Sequence, residues 1–241
     1  STEVKNNFGK YLRLSIKEDV IITSNGRKVA RLISYNDSYE KDESDIGMMN
    51  EGSVAYEIPP RKVTYEEFLE ISENSDQRLE YIDGEIYVLS SPKTIHQAAL
   101  SELHAIFYEW FRGKKCKPML APYDITLHKK NGDINVVQPD IMVICDLDEK
   151  LNERNYYTGT PTLVVEIISE GTRSKDFINK MNIYMFSGVR EYWIVNPINR
   201  DVSVYYFDNC KVVDNFTVKG NERVASFVFE GLGVVVEDLF R

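Results

Sequence analysis

Gln138-Pro139-Asp140-Ile141-Met142-Val143-Ile144 and Pro161-Thr162-Leu163-Val164-Val165-Glu166-Ile167-Ile168-Ser169 are two short apolar, β-branched runs, each carrying one acidic residue. Strands lined with Val and Ile exclude an unpaired carboxylate, because a lone buried charge is costly or shifts its pKa until it is neutral. A divalent cation lets two such carboxylates stay ionised side by side. The stretch from Gln138 to Lys180 ends on a segment holding Asp176 and Lys180. It predicts a metal site built on a rigid sheet.

The flanking segments read as the rest of one mixed domain. Thr64 with Glu67 three residues on is a capping box opening a short helix. Arg78 to Leu89 reads as a hairpin turning on Asp83-Gly84. Glu80 alternates there with Leu79 and Tyr81, and an acidic residue in that position is more often solvated than a ligand. Pro92 precedes a helix from about Thr94 to Phe111, whose apolar side is expected to hold Ile95, Ala99, Leu103, Ile106 and Trp110. His96 falls in its first turn, and Glu102 and His104 lie mid-helix. Pro118 to Leu127 reads as one strand. A helix ending near Ser187, closed by Gly188, carries Asp176, Lys180 and Tyr184 on one face. Asp-then-Lys at that spacing is commonly a surface pair; here the position after the Glu166 strand favours a side chain aimed over the strand end. Glu191 to Pro197 is a further strand, and Asp201 to Phe240 is read as an antiparallel meander.

The 241 residues suffice for a large core, and the net charge of −9 is unevenly spread. Residues 1–40 carry seven basic side chains against five acidic ones, a balance of +2, so the remainder holds −11. A basic head on an acidic body suits nucleic-acid contact through the head, whereas the body needs a local basic strip or a metal to meet a polyanion. No apolar run approaches a membrane span and no leader pattern is present, so no membrane partner is expected. Three scattered cysteines, Cys116, Cys145 and Cys210, are expected as reduced thiols in a cytoplasmic protein. Ser1 to Lys17 reads as an amphipathic helix, and Asn25-Gly26 between Val20–Thr23 and Val29–Ile33 as a hairpin turn. Residues 41–60 form an expected polar linker between a head at 1–40 and a main domain at 61–241.

Two resemblances sharpen these expectations. The run Glu3-Val4-Lys5-Asn6-Asn7-Phe8-Gly9-Lys10-Tyr11-Leu12, followed by Val20 to Ser34, resembles the DNA-binding head of Phd/YefM-type antitoxins. It implies a homodimeric head that contacts DNA through Lys5, Lys10, Arg13 and Arg27, or that serves only in dimerisation. Residues 61–200 resemble the Uma-two family of restriction-endonuclease-like proteins, within the PD-(D/E)XK nuclease superfamily. The resemblance is carried by Arg78 to Glu85, Ser91-Pro92 with His96-Gln97, Pro139-Asp140-Ile141, Val165 to Ser169, Thr172, Asp176, Lys180, Tyr184 and Gly188 to Val195. It implies an α/β (α+β) fold: a mixed central β-sheet flanked by helices, with the N-terminal helix-plus-hairpin unit and the C-terminal meander as additions. It also implies Asp140, Glu166 and Glu80 as metal ligands for Mg²⁺, with Mn²⁺ able to substitute, and His96 and Asp176 as accessory groups. Ile167-Ile168 stand where the superfamily carries X-Lys, so the lysine maps to Lys180 on the helix. Glu80 or Glu102 is the third acid. The implied activity is hydrolysis of DNA phosphodiester bonds by a metal-activated water; the alternative is a non-catalytic, antitoxin-like DNA-binding regulator on a nuclease-like scaffold.

Overall fold

The alternation of branched apolar residues sets six strands side by side, and two different layers cover them. The computed structural model describes residues 20–24, 27–32, 62–168 and 179–240. The chain divides into two units, Ser1–Tyr56 and Glu57–Arg241. In the first, β1 (Val20–Ser24) and β2 (Arg27–Leu32) pair antiparallel, as the hairpin pattern predicts. The expected helix over residues 1–17, with Lys5, Lys10 and Arg13, lies outside the described residues, as does Asp176.

In the second unit, α1 (Tyr65–Glu73) opens on the predicted Thr64–Glu67 capping box. The hairpin of β3 (Leu79–Ile82) and β4 (Glu85–Val88) turns on Asp83 and Gly84, both at positive φ, where an Asp-Gly pair is tolerated. Next come α2 (Thr94–Phe111), β5 (Lys117–Leu120), β6 (Ile125–His128), β7 (Ile134–Val137), β8 (Ile141–Ile144) and β9 (Leu163–Ile167). They are followed by α3 (Met181–Ser187), closed by Gly188 in the left-handed region, and by β10 (Glu191–Asn196). The chain ends in β11 (Asp201–Asp208), β12 (Lys211–Lys219), β13 (Arg223–Ala225) and β14 (Gly233–Val235).

The main sheet has the order β12-β11-β10-β9-β8-β5. Only β9 and β10 run parallel, so it is mixed, as expected. A second sheet has the order β4-β3-β7-β6, and β13 and β14 form a separate ribbon. The expected meander over 201–240 therefore splits: β11 and β12 extend the main sheet and the rest flanks it.

The single strand expected over 118–127 is two. Its first half, β5, pairs with β8 in the main sheet, while β6 pairs with β7 in the second. The four segments make one long hairpin bent at 121–124 on one arm and at Gln138-Pro139-Asp140 on the other. Pro122 and Pro139 mark the bends, since proline cannot donate to a ladder. The same hairpin corrects the cysteine reading. Lys117 pairs with Ile144, so Cys116 and Cys145 face each other, and they are joined as a disulfide with Sγ–Sγ 2.10 Å. Sequence separation was no guide to distance there, and the cysteines no longer support a reducing compartment.

Side-chain alternation distributes two cores. Leu163, Val165 and Ile167 of β9 join Trp193, Val195 and the α2 residues Ala99, Leu103, Phe107 and Phe111, with Val224, Val234 and Leu239 closing the same face. Val164 of β9 faces the opposite way, with Tyr192 and Ile194, toward Ile183 and Tyr184 of α3 and Ile82, Ile125, Leu127 and Val137 of the second sheet. The α2 face is as expected except at Ile95: Ala99 and Leu103 are buried with His96, Phe107 and Phe111, Ile106 and Trp110 pack partly buried against the same core, and Ile95 is half exposed. The edge-to-face contact of Phe107 on Trp193 fixes that rotation. Accordingly Phe107→Ala is expected to lower the unfolding free energy by about 3–5 kcal/mol in urea titrations, and Ile95→Ala by less than about 1 kcal/mol.

Candidate active site

Glu166 shares the face of Val164 on β9, and Glu80 shares the face of Ile82 on β3. Both carboxylates thus project into the space between the main and second sheets, and they are buried, at 5% and 3% exposure. Lys180, also 5% exposed, stands between them at the start of α3. Its Nζ lies 2.9 Å from Glu80 Oε1 and 3.0 Å from Glu166 Oε1. The helix-face expectation holds for Lys180 and Tyr184: one turn on, the Tyr184 hydroxyl donates to the same Glu166 Oε1. Burial, and next the Glu166 charge, push the Tyr184 phenol well above its usual pKa, so it stays a neutral donor. The backbone N–H of Gln138 donates to Glu80 Oε1 at 2.9 Å, tying the second-sheet carboxylate to the bend of the hairpin.

Asp140 occupies that bend. Ile141 pairs with Val165, so one further step along the ladder sets Asp140 opposite Glu166. The Ile167 N–H donates to Asp140 Oδ2 at 2.7 Å, and His96 Nε2 lies 3.2 Å from the same oxygen. The Asp140 side chain keeps 17% exposure and is the more open carboxylate. His96 comes from the first turn of α2, its side chain 10% exposed. The Ile167 N–H and His96 Nε2 thus converge on this one carboxyl oxygen. The opposite ring nitrogen, Nδ1, is buried without a hydrogen-bond partner.

Asp140, Glu166, Glu80, Lys180 and His96 all line one cleft of about 830 Å³, with Arg78, Lys93, Gln97 and Gln138 along its wall. Glu102 is exposed on α2 and does not line it, so of the two candidate third acids it is Glu80 that faces the cleft. Arg27 begins β2 in the other unit. Asp124, at the opposite bend, has its pKa raised, first by partial burial and also by Glu80, against a lowering hydrogen bond from Gln138. Among the described residues no three of His, Cys, Asp and Glu form a set that could hold a metal ion. Among the described residues lining the cleft, Asp140 and Glu166 offer hard carboxylate oxygens and no cysteine is present. No helix among the described residues is long and apolar enough to cross a membrane.

Sequence patterning missed the part played by Gln138, whose contribution to Glu80 is a backbone N–H, and a group every residue carries leaves no sequence signal. It also missed Glu191, fully buried on β10, which accepts from Ser226 Oγ and the Val228 N–H at 2.8 Å each and from Trp193 Nε1. Burial raises its pKa against those hydrogen bonds. This carboxylate does not line the cleft and serves to fasten the C-terminal segment to β10.

A mixed sheet flanked by helices, with Asp140 opposite Glu166 at adjacent strands, is the arrangement of a restriction-endonuclease-like fold. Residues 65–236 match the family model Uma2, described as "Putative restriction endonuclease". The chain belongs to the Uma2 family. Residues 1–44 match the model of the Phd_YefM antitoxins of type II toxin–antitoxin systems. An uncharacterized protein of Synechocystis sp. is 26% identical over 186 residues, covering 76% of this chain and 94% of that protein. The crystal structure of a "putative nuclease belonging to DUF820" from Anabaena variabilis superposes with a TM-score of 0.60 at 21% identity, over 74% of this chain and 97% of that one. This likeness establishes the shared fold.

Replacing Lys180 by Met leaves Glu80 and Glu166 buried without their shared counter-charge. The variant is expected to lose about 3–5 kcal/mol of stability, read from denaturant midpoints, whereas exposed Lys115→Met changes it by less than about 1 kcal/mol.

Proposed function

We propose that the second unit hydrolyses DNA phosphodiester bonds in a metal-dependent reaction. The observation that carries this reading is the meeting of Asp140, Glu166 and Lys180 in one cleft at the seam of two sheets. Asp140 and Glu166 would hold Mg²⁺, or Mn²⁺ in its place. Bound there, such an ion lowers the pKa of a water and offsets charge on phosphoryl oxygens. The chain's own groups do the rest. Lys180, held by Glu80 and Glu166, presents an ammonium whose N–H groups orient the attacking water or the developing oxyanion. His96 fixes one oxygen of Asp140, leaving the carboxylate oriented toward the cleft. Arg78 and Lys93 supply positive charge along the wall for the flanking phosphates.

The family description supports a nuclease, and the antitoxin likeness of residues 1–44 supports a second DNA contact through Lys5, Lys10, Arg13 and Arg27 in a homodimeric head. A purely regulatory role for the chain makes no use of the buried lysine and the more open aspartate beside it, which is why the enzymatic reading is preferred.

Supercoiled plasmid should be nicked by the full chain with Mg²⁺ or Mn²⁺. Asp140→Ala should cut the rate by at least about a hundredfold while the circular dichroism and melting profile persist. Unaltered nicking by Asp140→Ala would sink the reading. For the head, neutralising Lys5, Lys10 and Arg13 should abolish a salt-dependent gel shift that Glu166→Ala leaves intact; a shift that survives the triple change would remove those residues from DNA contact.

A further inference from the structure

Four cations crowd the turn that follows α2. We propose that this strip, Arg112-Gly113-Lys114-Lys115-Cys116-Lys117, is a docking surface of the second unit for the phosphate backbone of duplex DNA, outside the cleft. The inference rests on the nuclease reading and deepens it by naming where the acidic body grips the flanking duplex.

Residues 57–241 hold 21 basic and 29 acidic side chains, a balance of −8, so the body as a whole repels a polyanion. The strip is the exception, with four basic residues in six and no acidic one. All four follow Phe111, the last helical residue of α2. The pull of a helix C-terminus on cations fades within its last turn, so it does not account for them. Two have carboxylate partners: Arg112 pairs with Glu109 at 2.6 Å and Lys115 with Glu149 at 3.0 Å. Lys114 and Lys117 are exposed and have no carboxylate partner among the described residues; Lys117 Nζ donates instead to the Lys114 carbonyl. Like charges so close repel one another, and an incoming phosphate backbone relieves that repulsion.

A charge run that serves only solubility needs no fixed geometry, yet this one is fastened. The Lys114 N–H donates to the Phe111 carbonyl at 2.9 Å, Cys116 is bonded to Cys145, and Lys117 opens β5 opposite Ile144. Arg112 lies over the Tyr108 ring and Lys114 over the Trp110 ring. Rings covered by cations offer a partner charge rather than apolar surface, which suits phosphates better than a bilayer interior. The cleft is within reach of the same duplex. From His96 to Arg112, α2 rises about 24 Å, the length of roughly seven base pairs.

The test is duplex binding by the full chain in EDTA, so that no cutting intervenes. Anisotropy of a fluorescein-labelled duplex of about 30 base pairs is read from about 50 to 200 mM salt. Wild type is compared with Lys114→Gln/Lys117→Gln and with Lys211→Gln/Lys219→Gln, an equal change of charge on β12 at the opposite edge of the main sheet. The strip variant should bind at least about fivefold more weakly at about 100 mM salt, with the slope of log affinity on log salt reduced by about 2. The β12 variant should stay within about twofold of wild type, and Lys114→Arg/Lys117→Arg should keep wild-type affinity, since the charge is retained. The unfolding midpoint of the strip variant should not fall, because relief of repulsion removes no packing. In plasmid nicking the strip variant should raise KM at least about fivefold with kcat within about twofold. An unchanged salt slope, equal losses in the two glutamine variants, or a loss seen on RNA or anionic vesicles but not on the duplex would overturn the proposal. A wild-type chain that fails to nick would remove the nuclease reading, while the salt slope in EDTA would still decide the strip.

Discussion

One lysine side chain bridges two sheets. Glu80 belongs to the second sheet and Glu166 to the main sheet, and Lys180 Nζ lies within 3.0 Å of each. One lysine and two glutamates in so dry a place are tolerable only as a set, since the desolvation of each is offset by its neighbours and by the donors around them. The Gln138 N–H and the Tyr184 hydroxyl complete that offset. The seam between the sheets is therefore electrostatic at one end and apolar at the other, where Ile82, Ile125, Leu127 and Val137 meet Val164 and Ile183. An apolar seam alone would be the more stabilising choice.

The bent hairpin explains why the site lies where it does. A strand that leaves one sheet for another must break its ladder, and here it breaks at Gln138-Pro139-Asp140. The break frees the Gln138 N–H for Glu80 and turns Asp140 toward Glu166, which β9 presents one step beyond the last paired residue. The same device gives the cleft its two walls, one from each sheet, with the first turn of α2 contributing His96. Rigidity follows from packing: both strands that carry the acids are backed by buried Val, Leu and Ile.

Much of this was legible in the sequence for definite reasons. Asp140 and Glu166 betrayed themselves as charges in apolar strands, and Lys180 with Tyr184 as a helical i, i+4 pair just after one of those strands. Asp83-Gly84, the Thr64 capping box and Gly188 set element boundaries because their backbone chemistry is local. What escaped was non-local. Glu80 read alone as a solvated strand residue, since nothing in its neighbourhood shows the lysine a hundred residues on. The division of 118–127 into two strands depends on which sheet each half joins. The Cys116–Cys145 pairing depends on the register of β5 with β8. The burial of Ile95 was misjudged because the edge-to-face contact of Phe107 on Trp193 sets the rotation of α2.

The most direct measurement is crystallographic: anomalous diffraction from crystals of the chain soaked in Mn²⁺. An anomalous peak at coordination distance from both the Asp140 and Glu166 carboxylates, with Lys180 still seated against Glu80, is the predicted result. A peak that Asp140 does not touch, or an ion in the place of the Lys180 ammonium, would contradict the account.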